Sequence, residues 1–83
     1  MTRYVKVGGV PIYTNIEEIA ECLEELNAVL SEGTAENRDV DCVFKAYRYL
    51  RDYRFRQTRV TELLKRIEEI LVNDMKSGRI KIW

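Results

Sequence analysis

Eighty-three residues, 46% of them apolar and 34% charged, describe one folded domain, 1–83, with a single modest core. No window approaches the ~20 apolar residues of a membrane span, and the N-terminus lacks a signal peptide's apolar run, so the expected location is cytoplasmic. Fourteen basic and fourteen acidic residues cancel, and histidine is absent, which removes the usual proton shuttle and the commonest metal ligand.

The zero net charge conceals two opposed blocks. Residues 12–41 carry nine acids against one Arg. Phe44–Arg59 reverses the sign, with Lys45, Arg48, Arg51, Arg54, Arg56 and Arg59 against Asp52, interleaved with five aromatics. This asymmetry is the strongest functional signal in the chain.

Thr2–Tyr13 reads as a β-hairpin about a Gly8-Gly9 turn, since both glycines take the positive φ that a two-residue turn demands. Pairing Val7 with Val10 and Val5 with Ile12 puts four β-branched residues on one face, leaving Tyr4, Lys6, Pro11 and Tyr13 on the other. Pro11 makes the second strand an edge and leaves the first free to pair elsewhere. Thr14-Asn15-Ile16-Glu17 has the spacing of a capping box, opening a helix that runs to about Ser31 and stops at Gly33. Its apolar stripe is Ile19, Leu23, Leu26 and Leu30, flanked by Ile16, Ala20 and Cys22. Five glutamates (17, 18, 21, 24 and 25) face away.

A second helix is expected from Thr34 or Asn37, both good caps. Val40, Val43, Tyr47 and Leu50 form its buried stripe. Asp41–Lys45 and Arg48–Asp52 are spaced as one-turn ion pairs. Continuing this helix places Arg54 on the buried stripe, so it should turn at about Tyr53. The third helix, from about Thr58, follows the 3.6 period through Val60, Leu63, Leu64, Ile67, Ile70 and Leu71, with Met75 extending the stripe and Glu62–Arg66 spaced for a pair. Ser77-Gly78 stops it, and Arg79–Trp83 alternates as a last strand suited to the free side of the first. The expected fold class is α+β: three helices with a small antiparallel sheet made of the N-terminal hairpin and the C-terminal strand. Cys22 and Cys42, twenty residues apart, fit no metal spacing and read as two buried reduced thiols, with a disulfide as the alternative.

In its hydrophobic spacing, the stretch Tyr49–Ile67, YLRDYRFRQTRVTELLKRI, resembles the helix-turn-helix of DNA-binding proteins. Tyr53 matches the residue closing the first helix, Phe55 the apolar residue after the turn, and Val60, Leu63 and Leu64 the core face of the recognition helix. Thr58-Arg59-Val60-Thr61 is similar to the opening of many recognition helices. Leu50 and Arg54 depart from the pattern, standing where a small residue and a Gly are usual. The resemblance implies a winged-helix-like DNA-binding protein, a transcriptional regulator acting as a homodimer. Arg54, Arg56, Arg59 and Lys65 would meet phosphates. Gln57, Thr58, Arg59 and Thr61 would face base edges, and Arg79 and Lys81 would lie on the wing. The alternative is an interaction module in which an acidic helix meets the basic turn of another chain. With no catalytic constellation, cofactor or metal set in the sequence, an enzyme is not expected.

Overall fold

In a computed structural model, residues 3–53 and 58–81 are described. Strands β1 (Arg3–Val7) and β2 (Val10–Thr14) are followed by helices α1 (Glu17–Glu32), α2 (Val40–Tyr53) and α3 (Thr58–Lys76). The hairpin has the expected register, Val5 against Ile12 and Val7 against Val10. All four of these side chains are buried. Gly8 and Gly9 take φ of 57° and 87°, left-handed values that a two-residue turn requires. β1 lies against α1, α1 packs on α2, and α2 on α3, so one core joins Val7, Ile12, Leu23, Leu26, Leu50, Val60 and Ile67.

The edges of the hairpin differ. Val7 and Val10 flank the two-residue turn and form a hydrogen-bonded pair; by alternation Lys6 and Pro11, and Tyr4 and Tyr13, turn their backbone groups outward. On β2, Pro11 offers no donor and the Tyr13 carbonyl accepts from the Tyr49 hydroxyl of α2. The outward groups of Tyr4 and Lys6 on β1 have no partner among the described residues.

Local signals were displaced wherever tertiary packing claimed the residue. Thr14 remains in the β ladder opposite Arg3, so it stands too early to cap α1. Its hydroxyl accepts from the Ile16 N–H at 3.2 Å, and the extended Ile16 (φ −117°) precedes the helix with its side chain exposed rather than on the stripe. The cap of α2 is Asp39, whose Oδ1 accepts from the Cys42 N–H at 3.2 Å, and not Thr34 or Asn37. Thr34 is drawn away because its hydroxyl donates to Asp74, forty residues on. Asn37 sits in the left-handed region at φ 68°. α1 stops at Gly33, as expected; α2 is described to Tyr53, and the turn expected just after it lies outside the described residues. The Asp41–Lys45, Arg48–Asp52 and Glu62–Arg66 ion pairs do not form. Lys45 instead reaches Glu18 across the α1–α2 interface.

The anticipated last strand is not formed by Arg79–Lys81, and among the described residues the sheet has two strands. The backbone of 79–80 is already engaged. Arg79 N–H donates to the Asp74 carbonyl at 2.9 Å and Gly78 N–H to Met75 at 3.2 Å, the Schellman closure of a helix end, with Gly78 at φ 74°. Ile80 folds back and is buried. Residues 82 and 83 of the expected strand lie outside the described set. Met75 is exposed, and the core position at this end of α3 belongs to Asp74. The Asp74 carboxylate is only 1% exposed; it accepts from the Thr34 hydroxyl (3.1 Å) and the Ala35 N–H (2.5 Å), with Arg79 Nη1 at 3.5 Å. Cys22 and Cys42 form a disulfide between α1 and α2, with their Cα atoms 5.0 Å apart, in place of reduced thiols.

Candidate nucleic-acid interface

The opening turns of α3 carry the described part of the predicted site. Helical geometry, 100° per residue, sorts its side chains around the axis. Val60, Leu64 and Ile67 point into the core. Thr58, Glu62 and Lys65 share the outermost stripe, Thr61 lies on one flank, and Arg59 with Arg66, two turns apart, on the other. All seven of Thr58, Arg59, Thr61, Glu62, Lys65, Arg66 and Glu69 are exposed. The tip of the β hairpin sits beside the Arg59–Arg66 flank. Gly8 approaches Leu63 so closely that a Cβ there would lie 2.4 Å from a Leu63 methyl. Between tip and helix runs a groove of about 410 Å³ lined by Gly8, Gly9, Val10, Arg59, Glu62, Leu63 and Arg66.

Arg54, Arg56 and Gln57 lie outside the described residues. Thr58, Arg59, Thr61 and Lys65 are brought together on one helix, as the sequence suggested. Arg79 is not with them. It sits beyond the opposite end of α3, which is about 27 Å long, with its guanidinium turned to Asp74. Lys81 is exposed but not on a strand, so neither residue forms a wing. Sequence reasoning missed Arg66, having assigned it to an ion pair with Glu62, and missed Gly8-Gly9 as a neighbour of α3. The seven-residue spacing of Arg59 and Arg66 was the available signal. Nothing local could bring the hairpin tip to them.

Three of the α1 glutamates, Glu18, Glu25 and Glu32, are paired with cations outside α3. Arg38 bridges Glu25 at 3.4 Å and also Glu32, and Lys45 holds Glu18. Arg59, Lys65 and Arg66 have no ion-pair partner among the described residues. On the far face, the Tyr47 hydroxyl donates to Glu68 at 2.8 Å and Arg51 lies 5.8 Å over the Tyr47 ring. Burial, then the Glu68 hydrogen bond and charge, raise the Tyr47 pKa against a smaller opposing effect of Arg51. Among the described residues no three His, Cys, Asp or Glu cluster so as to hold a metal, and no helix is long and apolar enough to cross a membrane. No family model, curated protein or solved structure matches this chain.

Proposed function

We propose that the domain binds double-stranded DNA through the exposed face of α3, in the manner of a helix-turn-helix protein and as a regulator of transcription. One observation supports this reading above the others. Arg59, Lys65 and Arg66 leave α3 toward solvent without a carboxylate partner among the described residues, while the α1 glutamates Glu18, Glu25 and Glu32 are taken up by Lys45 and Arg38. Positive charge on α3 is thereby left for an external polyanion, and a phosphate backbone supplies one by counterion release. Thr58 and Thr61 stand beside these cations where base edges are read. Glu62 and Glu69 on the same surface limit how deeply the helix enters a groove.

Titration of labelled duplex DNA by fluorescence anisotropy at several salt concentrations tests the reading. Log affinity should fall linearly with log salt, by about 0.9 per phosphate neutralised. Arg59→Glu with Lys65→Glu should weaken binding more than tenfold while the circular dichroism spectrum is retained. A wild-type chain that ignores duplex at low salt, or binds it equally at all salt concentrations, refutes the proposal. A cytoplasmic site of action accords with a DNA ligand, whereas the Cys22–Cys42 bond is of a kind rare in reducing compartments of mesophiles.

The outer edge of β1, where Tyr4 and Lys6 have no partner among the described residues, favours a second reading, self-association by strand pairing between two copies. Antiparallel pairing centred on Val5 would set Tyr4 opposite Lys6 of the other copy. Sedimentation across a concentration series distinguishes the two: a monomer at tens of micromolar excludes this pairing.

A further inference from the structure

We propose that the groove between the Gly8-Gly9 tip and the Arg59–Arg66 flank of α3 is a seat for a phosphate group, that of a phosphodiester backbone, so that the N-terminal hairpin serves as the wing. This rests on the DNA-binding reading for the source of the phosphate but not for the seat itself. Three features make the seat. Arg59 and Arg66 are seven residues apart, so both side chains leave one side of the helix from Cα atoms about 10.5 Å apart along its axis, and both line the groove. Gly9 contributes an N–H with no acceptor among the described residues, whereas the neighbouring Gly8 N–H is held by Asn27 Oδ1 at 3.0 Å. That bond fixes the tip against α1 and makes Asn27 a positioning residue.

The tip also has no side chains, and a Cβ added at Gly9 would meet nothing within 4 Å, so backbone and anion can approach closely. Among the described residues lining the groove, Glu62 is the one carboxylate, against two guanidiniums. The local excess is one positive charge, which matches the single negative charge of a phosphodiester. Backbone recognition of this kind carries no base information, so the seat contributes affinity and orientation without sequence preference.

Two measurements on the intact chain test the seat. The first follows the Gly8 and Gly9 amides by 15N–1H correlation during titration with inorganic phosphate at constant chloride. The Gly9 amide should move well beyond that of Gly8, and Arg66→Gln should abolish the movement. The second is duplex anisotropy. Arg66→Gln should weaken binding about five- to tenfold and lower the salt slope by about 1, and Glu62→Gln should tighten binding several-fold. If the Gly9 amide stays still and Arg66→Gln binds duplex like wild type, the seat is overturned while the α3 reading stands. If Gly9 responds to phosphate but wild type ignores duplex, the seat stands as a site for free phosphate and the DNA reading falls.

Discussion

Removing the Asp74 carboxylate should destabilise the domain more than any other single polar truncation among the described residues. Asp74 is essentially inaccessible to solvent and accepts from the Thr34 hydroxyl and the Ala35 N–H, with Arg79 beside it. Asp74→Ala leaves the buried Ala35 amide without an acceptor and opens a small void. A lost hydrogen bond to a charged group costs about 1.5–3 kcal/mol and an unsatisfied buried donor about 1–3 kcal/mol, giving roughly 2.5–6 kcal/mol together. A chain of this size has about 4–12 kcal/mol in all, so the loss is a large fraction of it. At about 4–8 °C per kcal/mol, the melting temperature should fall by at least ~10 °C. Asp74→Asn keeps an acceptor oxygen for Ala35 and should cost only about 1–2 kcal/mol. Arg79→Ala, at the half-exposed end of the cluster, should cost under ~1 kcal/mol. Urea unfolding followed by circular dichroism, with the m-value compared between variants, gives these differences. An Asp74→Ala loss below about 1 kcal/mol at unchanged m-value would show that Asp74 does not tie the α1–α2 connection to the end of α3.

Tyr47 should make the domain sensitive to alkali. Its pKa is raised in the fold, so its contribution is complete below pH ~10 and is lost as pH climbs through the folded value; urea midpoints at successive pH values should fall there in wild type and less in Tyr47→Phe. Reducing Cys22–Cys42, which closes a loop twenty residues long, should cost about 3 kcal/mol. Thiol titration of the unfolded, unreduced chain should find no free thiol, and two would refute the bond. Gly8→Ala should destabilise by about 1–3 kcal/mol, from the φ of 57° and the Leu63 methyl 2.4 Å from the new Cβ. Gly9→Ala, which meets open space, should cost less, and equal losses would contradict the packing of the tip on α3.

The periodic features needed nothing beyond the chain itself. Two glycines between alternating β-branched residues determine the hairpin and its register, because a slip of one residue would turn Val5, Val7, Val10 and Ile12 out to solvent. The 3.6-residue spacing of Val60, Leu64, Ile67 and Leu71 likewise determines α3 and, by exclusion, the exposure of Arg59 and Lys65. The features that failed to follow local rules are those with a distant competitor. Thr14 is held in the ladder by Arg3, Thr34 is captured by Asp74, and Lys45 prefers Glu18 on the neighbouring helix to Asp41 on its own. A one-turn ion pair or a cap is worth at most about a kcal/mol or two, so a buried carboxylate or an interhelical contact overrides it. Asp74 in the core, the Cys22–Cys42 bond and the hairpin tip beside Arg66 were decided by tertiary structure alone. Each joins residues twenty or more positions apart, and no local preference encodes which distant surfaces meet once the apolar faces have closed.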